Sequence, residues 1–180
     1  MLDYFIDEDI VSDLVNYNEI QQKIDIIELD IFSESINRKF DVVFSSGFIE
    51  HFNDSESVIQ IHFDYVSPGG YAFIALPNFR GLNGLVQRFF DPENLTAHNL
   101  DVMSPQYLGR ICISKGFELI WSGYYGNFGV WLEKEKERSY FLRKSFKLIN
   151  RFGKRLFRSR ETRLFSPYII LIARRPLGQL

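Results

Sequence analysis

Residues that could do acid–base chemistry follow a short apolar stretch in the first third of the chain. The apolar run 42–44 leads into the small polar turn 45–47, and Glu50 and His51 come within one further helical turn. An imidazole titrates near neutrality, so His51 and the later His98 could each accept a proton from an oxygen or nitrogen nucleophile. A single histidine is more often structural or solvent-exposed, and this alternative stays open for both.

The elements around this turn predict where a ligand would bind. The run 42–44 is too short for a helix and rich in β-branched and aromatic residues, which indicates a strand over 40–46 that is covered on both faces. A helix that is capped by Asn53 or Asp54 and reaches about Val66, followed by a second apolar strand at 71–76 that a Ser-Pro-Gly-Gly turn opens, completes a right-handed crossover. Ligands bind outside the carboxyl ends of parallel strands, so we expect a site at the turn 45–47.

Apolar strands alternate with amphipathic helices along the rest of the chain. This alternation predicts an α/β fold, with a mostly parallel sheet and helices on both faces. The further elements expected are a helix over 7–22, strands over 24–30, 117–124 and 168–174, and a helix from Ser104 to Gly116 with serine as its cap and Pro105 in its first turn.

Several of these segments together resemble a known family. The string FDVVFSSGFIEHF, the helix after it and the SPGG turn before YAFIALPN resemble the middle of a class I S-adenosylmethionine-dependent methyltransferase, over about residues 1–125 and again at 168–174. The resemblance implies a Rossmann-like methyltransferase fold that ends in an antiparallel strand pair. It also implies methyl transfer from S-adenosylmethionine to a small-molecule acceptor, with no metal required.

The resemblance also raises the question of where the domain begins. Family members start with a strand and a glycine-rich loop that holds the methionine part of the cofactor, and nothing before Met1 supplies them. We therefore expect an N-terminally truncated methyltransferase domain that lacks its first strand and is impaired in activity. A non-catalytic remnant is the rival interpretation.

The resemblance assigns candidate roles to residues near the strand ends. An acid at the end of the second strand binds the cofactor ribose, and Asp3 takes that position, although it could simply cap a frayed terminus. An acid placed like Asp30 binds the adenine amino group, with the next apolar side chain, Ile31 or Phe32, against the ring, unless Asp30 is an ordinary turn residue. The cofactor-binding set is completed by Ser45, Ser46 and Gly47.

A loop rich in turn residues at 77–84 leaves the next strand end. Such loops carry substrate specificity because a rigid scaffold holds them. Asn78, Arg80 and Asn83 are the candidates for binding an oxygen-rich acceptor, and a polar connection without a special role is equally open.

Composition bounds the class of protein. A hydrophobic content of 46% in 180 residues suits one domain over 1–180 with a sizeable core. The start of the chain lacks a secretory signal, and no apolar run approaches the ~20 residues that span a bilayer. Cys112 is the only cysteine, so an internal disulfide and a zinc site built on several cysteines are both excluded. We expect a cytoplasmic protein without a metal.

A basic segment stands apart from this near-neutral chain. Residues 138–160 hold nine Lys or Arg and no acid, within a predicted helical insertion at about 133–163. An apolar stripe there contains Leu142, Phe146, Ile149, Phe152 and Leu156. We expect this stripe to pack on the domain. The alternatives are peripheral membrane contact, with the chain acting as a membrane-associated interaction module, or binding of an anionic ligand; nucleic acid is not an expected partner.

Overall fold

The computed structural model describes residues 2–3, 7–21, 24–133, 135–158 and 161–178. For residues 2, 3, 8 and 135 it describes the backbone alone. The chain divides into two compact units, Met1–Arg38 and Lys39–Leu180. They are called unit 1 and unit 2 below. None of the helices in the described ranges has the length and apolar character needed to cross a bilayer.

Unit 1 is a small strand–helix–strand module. Strand β1 (Leu2–Asp3) pairs in parallel with β2 (Ile27–Glu28), and helix α1 (Glu8–Tyr17) lies between them in sequence. Asp7 caps the helix, because its side chain accepts hydrogen bonds from the backbone N–H groups of residues 9 and 10, each at 3.1 Å. The predicted helix is thus confirmed but shorter, and the strand expected over 24–30 is reduced to two residues.

Unit 2 contains a four-stranded mixed sheet in the order β3-β4-β6-β5. Strand β3 pairs in parallel with β4, whereas β6 is antiparallel to both β4 and β5. The parallel pair and the closing antiparallel pair are therefore confirmed, but the sheet is mixed and not mostly parallel. The elements of unit 2 are β3 (Phe40–Ser46), α2 (Ser55–Asp64), β4 (Val66–Pro77), α3 (Leu82–Phe90), α4 (Pro92–Thr96), α5 (Pro105–Ser114), β5 (Glu118–Tyr125), α6 (Tyr140–Leu156) and β6 (Tyr168–Arg174).

The main core lies on one face of this sheet, under α2 and α5. Alternate residues of β4 and β6 point to this face, since side chains of a strand alternate in direction. Phe63 of α2 is buried there and stacks on Phe117 with the ring centroids 4.0 Å apart. The fully or almost fully buried side chains of this core include Val58, Ile59, Ile74, Leu76, Leu108, Ile111, Ile169 and Leu171.

The opposite face of β3 corrects the prediction of a strand covered on both faces. Val42 and Phe44 are 61% and 64% exposed, although Val43 between them packs against the core. The ring of Phe44 has a neighbour in Phe73 on β4, at 5.5 Å between centroids. An apolar run of three residues was therefore insufficient to decide burial, because each second residue of a strand faces the other side.

Local capping signals placed two helices correctly. Asp54 caps α2, with its Oδ1 accepting from the backbone N–H of Ser57 at 3.2 Å. Ser104 caps α5, and its Oγ accepts from the backbone N–H of Tyr107 at 3.3 Å. The loop predicted at 77–84 is shorter than expected, because α3 already begins at Leu82 after Gly81.

Helix α6 packs through a different face from the predicted stripe. Leu142 and Phe146 point inward as expected, but Ile149, Phe152 and Leu156 are 47%, 63% and 77% exposed, so the expectation that the whole stripe is buried is wrong. C-terminal to Phe146, the inward positions of the helix are taken by Asn150 and Gly153.

Two contacts set the orientation of α6. The Asn150 side chain donates to the carbonyl of Val130 at 2.7 Å and accepts from the N–H of the same residue at 3.0 Å. Gly153 lies against the ring of Phe128, where a Cβ would come within 2.3 Å of ring carbons. These contacts turn Asn150 and Gly153 inward, so the apolar residues at 149, 152 and 156 rotate outward.

Burial of Cys112 gives a first testable prediction. The thiol is fully buried, and burial raises its pKa from 9.0 to about 11. The fraction of Cys112 that is ionised to the reactive thiolate at pH 8 is then lower by about two powers of ten, and burial also blocks access to the sulfur. We expect alkylation by iodoacetamide to be negligible in the native protein and rapid in urea. Quantitative labelling without denaturant would contradict the buried position.

His62 of α2 gives a prediction on pH and stability. Its Nδ1 lies 2.7 Å from the carbonyl oxygen of Val58, and burial lowers the pKa of the imidazole below 6.5 despite this hydrogen bond. The unfolded chain therefore binds a proton more readily. The contribution of neutral His62 is complete above pH 6.5 and declines as the pH falls from there toward the folded-state pKa, at no more than about 1.4 kcal/mol per pH unit.

Comparison with a variant separates the contribution of His62 to the pH dependence of stability from the contributions of other titratable groups. We expect the stability difference between the wild type and His62→Gln, measured by urea unfolding, to shift in favour of the variant as the pH is lowered from 7.5 to 5. A difference independent of pH would contradict the lowered pKa.

Candidate active-site cleft

A cleft of about 650 Å³ opens at the carboxyl ends of β3 and β4. Ser46 and Gly47 line it at the end of β3, and Leu76 and Pro77 line it at the end of β4. The volume lies within the range of small-molecule sites. This is the edge of the sheet at which the sequence predicted a ligand.

The turn after β3 aims the next residues into the cleft. Gly47 has φ +65°, a conformation that glycine adopts without strain, and its N–H donates to the carbonyl of Ala75 at 3.0 Å. A 3₁₀ turn follows at Ile49–His51. Ile49 is completely buried and anchors this turn, so that Glu50 and His51 reach the cleft.

The two candidate histidines meet in the cleft, although 47 positions separate them in the sequence. Their ring centroids are 4.5 Å apart. Nδ1 of His51 lies 3.3 Å from the carbonyl of Ala97, and Nδ1 of His98 lies 2.6 Å from the carbonyl of Asn94. A carbonyl oxygen can only accept a hydrogen bond, so in the neutral form of each ring Nδ1 carries the proton and the lone pair is on Nε2.

The electrostatics of His98 favour a neutral ring. Burial lowers the pKa of His98, and the nearby His51 lowers it further, while the bond to the Asn94 carbonyl and the charge of Glu133 raise it in part. A neutral imidazole with a free Nε2 is the form that accepts a proton. The lowered pKa and the Nδ1 hydrogen bond make His98 a candidate general base.

Glu50 lies beside both histidines and is almost fully buried. Glu50 is only 1% exposed, and its Oε2 has no hydrogen-bond partner among the described residues. Burial raises the pKa of this carboxyl, and backbone N–H groups of residues 48 and 50 together with His51 offset the shift in part. The backbone carbonyl of Glu50 accepts from the N–H of Asn99 at 2.6 Å, which ties the turn to the segment that carries His98.

An aromatic wall closes another side of the cleft. Trp131 stacks on Tyr168 at 5.6 Å between centroids and contacts Phe79 at 5.8 Å. Phe79 in turn meets the ring of His98 edge-on at 4.9 Å. Such a wall can hold a flat or apolar part of a ligand beside the histidines.

An ion pair also lies in the lining of the cleft. Arg138 contacts the largely buried Asp91 at 2.7 Å and also donates to the backbone carbonyl of Phe90 at 3.2 Å. In the sequence, Arg138 was only one of nine cations in the basic segment, and nothing marked Asp91 as its partner. Neither residue, nor the aromatic wall, was predicted as part of the site.

Comparison with known proteins decides the family. A family model described as a methyltransferase domain matches residues 6–121, which is more than half of the chain. The chain belongs to this methyltransferase family. Membership implies S-adenosylmethionine as the methyl donor, as the sequence resemblance suggested. No curated protein matches the chain.

Solved structures agree with the methyltransferase fold. A SAM-dependent methyltransferase from Archaeoglobus fulgidus has 18% identity and a TM-score of 0.54 over 96% of this chain and 84% of its own. One from Mesorhizobium loti has 12% identity and a TM-score of 0.57 over 97% and 78%, respectively. An O-methyltransferase family protein from Burkholderia thailandensis has 14% identity and a TM-score of 0.55, with 99% of this chain covering 43% of that longer one.

Most of the predicted cofactor-binding and catalytic residues in unit 2 line the cleft, and one does not. Ser46, Gly47, His51 and His98 all line the cleft. Ser45 is buried in the sheet and points away from the lining.

The three proposed acceptor contacts lie in or near the loop that the sequence indicated. The Asn78 amide donates to the carbonyls of residues 163 and 166, both at 2.8 Å, and Asn83 Oδ1 accepts from the N–H of Trp131 at 3.2 Å. Both asparagines thus hold backbone segments in place. Arg80 is exposed, and an acceptor contact for it stays a prediction.

The remaining predicted cofactor contacts belong to unit 1. Asp30 forms a local turn, with its carboxylate accepting from the N–H of Phe32 and from the hydroxyl of Ser33, each at 2.9 Å. Ile31 follows it and is half-buried. The side chain of Asp3 lies outside the described residues. The adenosine-binding roles of these three residues stay predictions.

Proposed function

We propose that the cleft of unit 2 is the site of methyl transfer from S-adenosylmethionine to a small-molecule acceptor. The observation that carries this proposal is the meeting of two histidines, each with a free Nε2, at the carboxyl end of β3 in a chain of the methyltransferase family. The space beside Gly47 suits close approach of a ligand, because a Cβ built there would meet only Glu50 Oε1, at 3.8 Å.

Different residues of the cleft would bind the cofactor, orient the acceptor and accept its proton. The cofactor supplies an electrophilic methyl group, and the transfer requires chiefly alignment of the acceptor. The turn at Ser46 and Gly47 would hold the cofactor, and the aromatic wall would orient the acceptor. His98 would take the acceptor proton at Nε2, since its Nδ1 proton is held by the Asn94 carbonyl.

A matched pair of glycine variants tests the site. Gly47 and Gly116 both have positive φ, at +65° and +78°, so alanine introduces similar backbone strain of about 1 kcal/mol at each, but only Gly47 lines the cleft. We expect Gly47→Ala to abolish saturation-transfer NMR signals from S-adenosylhomocysteine and Gly116→Ala to preserve them. Equal signals in both variants would place the cofactor elsewhere.

We also propose that the 180-residue chain alone is a poor catalyst. None of its described residues supplies a glycine-rich loop at the outer edge of β3, which pairs only with β4. Each missing charge-assisted hydrogen bond contributes roughly 1.5–3 kcal/mol, so losing two weakens binding by about two to four powers of ten. Tight stoichiometric binding in calorimetry would refute this. Cofactor binding without any turnover would instead favour a non-catalytic role.

The exposed face of α6 favours a second candidate function, contact with an anionic membrane surface. Phe141, Phe152 and Leu156 are 82%, 63% and 77% exposed, and the helix has cations and no acid. An amphipathic helix of this kind binds at the headgroup region through apolar insertion and charge attraction. The exposed cations of α6 include Lys144, Lys147, Arg151, Lys154 and Arg155.

Vesicle binding separates this candidate from a simply solvated helix. We expect the protein to co-sediment with phosphatidylcholine vesicles that contain phosphatidylserine, and less so at high salt. The double variant Phe152→Asp and Leu156→Asp should lose at least about tenfold in binding without a change in melting temperature. Ile113→Asp, at a 63% exposed position on α5, is the matched control. Equal binding by both variants would exclude α6 as the contact.

A further inference from the structure

The cluster of Glu50, His51 and His98 has the chemistry of a metal site, which the sequence analysis did not predict. One potential ligand atom from each residue lies within 4.8 Å of the other two. The three residues come from two segments, the 3₁₀ turn after β3 and the segment after α4. Because their sequence separation resembles no zinc motif, only the fold could bring them together.

The unpaired oxygen of Glu50 is the observation that points to a cation. A buried carboxylate oxygen without a hydrogen-bond donor is costly, and in native proteins such groups need a partner. Glu50 is only 1% exposed and lines the cleft, and its Oε2 has no hydrogen-bond donor among the described residues. The other two members of the cluster are imidazoles whose Nε2 atoms have a lone pair in the neutral form of the rings. Three groups with lone pairs that converge within 4.8 Å of one another, one of them an oxygen without a donor, are matched by a positive ion.

The hydrogen bonds of the histidines fit the same conclusion. Imidazoles that bind a metal usually donate their other ring N–H to a carbonyl or carboxylate, which fixes the ring and exposes the ligating nitrogen. His51 and His98 both make this contact, with the carbonyls of Ala97 and Asn94 at 3.3 and 2.6 Å. The outer contacts of a metal site are therefore already in place.

We propose that Glu50, His51 and His98 bind a divalent transition-metal ion of borderline softness, such as Zn²⁺ or Fe²⁺, in the cleft. Two imidazoles and one carboxylate favour such ions over Mg²⁺ and Ca²⁺, which prefer oxygen ligands alone. Three protein ligands leave coordination positions open toward the cleft. The proposal does not rest on methyl transfer, but a metal on Nε2 of His98 would occupy the atom proposed above as the proton acceptor, so metal binding and general-base catalysis by His98 are alternatives.

Other cleft groups have different tasks and do not enlarge the ligand set. Asp91 is neutralised by Arg138 at 2.7 Å. Glu133 is exposed and would contribute to attraction of a cation through its charge. His62, the third histidine of the chain, lies in α2 with its Nδ1 on the carbonyl of Val58 and is outside the cluster, which makes it a matched control.

The test is titration of chelator-treated, tag-free protein with Co²⁺, followed by competition with Zn²⁺. We expect one equivalent of Co²⁺ to produce ligand-field absorption bands that Zn²⁺ abolishes. His98→Ala and Glu50→Gln should each weaken Co²⁺ binding by at least about tenfold. His62→Gln should bind Co²⁺ like the wild type. Melting temperatures measured without metal will show that each variant is folded.

A measurement on the wild type tests the same proposal even if the variants fail to fold. Addition of Zn²⁺ should shift the imidazole NMR signals of His51 and His98 and leave those of His62 in place. Absence of saturable Co²⁺ binding to the wild type would overturn the proposal. So would binding that is unchanged in both His98→Ala and Glu50→Gln, or zinc-induced shifts that spare His51 and His98.

Discussion

Replacing Gly84 with alanine should destabilise unit 2 by more than about 3 kcal/mol, at the upper end of the cost of overpacking. A Cβ on this residue of α3 would lie 1.7 Å from the carbonyl oxygen of Phe79 and 2.5 Å from its carbonyl carbon. Both are backbone atoms, so no side-chain rotation relieves the contact. The intrinsic preference of helices for alanine over glycine, about 1 kcal/mol, is too small to compensate.

The start of α3 cannot easily move away from Phe79. The N–H of Leu82 donates to the carbonyl of Leu164 at 2.8 Å, and Asn83 is tied to the backbone of Trp131. Since Phe79 and Trp131 form the aromatic wall of the cleft, the variant should also impair ligand binding. Urea unfolding, compared with Gly178→Ala, checks the stability, because a Cβ at Gly178 meets nothing within 4 Å. Equal stability of the two variants would show that this close approach does not hold.

Elements with local signals in the sequence were predicted well. The caps Asp54 and Ser104 act on backbone groups three residues away, so they can be recognised without knowledge of the fold. Strand β3 and the helix that follows were found for the same reason. Glycine at 47 marked the end of this strand, and the structure places it in the positive-φ conformation that glycine permits.

Features that depend on distant partners were missed. The orientation of α6 is decided by Asn150 and Gly153 against residues 128 and 130, and no periodicity within the helix reports those contacts. Likewise, His51 and His98 were each nominated from residue type, but their contact arises from chain segments 47 positions apart. The missing partner of Glu50 becomes visible only when burial is known.

Helix α6 therefore has two apolar faces with different expected sensitivities. Phe146 is 9% exposed and packs edge-on against Phe90 at 5.8 Å, within a cluster that includes Phe128, Val130 and Leu132. Phe152 lies on the other face and is 63% exposed. The same substitution at these two positions separates the contribution of burial from that of helix formation.

We expect Phe146→Asp to destabilise the protein by about 3 kcal/mol or more, because it removes a buried ring and buries a carboxylate. Arg143, one turn earlier, can offset only part of this cost as an i, i+3 partner, by roughly 0.2–0.5 kcal/mol. Phe146→Ala removes the ring without adding a charge and should also cost about 3 kcal/mol. Phe152→Asp should stay within about 0.5 kcal/mol of the wild type, as surface substitutions do.

Urea unfolding of these variants, combined with vesicle binding, decides how α6 is used. If the packing is as described, the Phe146 variants lose stability and Phe152→Asp does not, since only the first side chain is removed from water on folding. If Phe146→Asp leaves the melting temperature unchanged but abolishes binding to anionic vesicles, the inward face is not packed in solution. In that case α6 would dock on a membrane through Phe146 as well, and its packing against Phe90 would not be the state of the free protein.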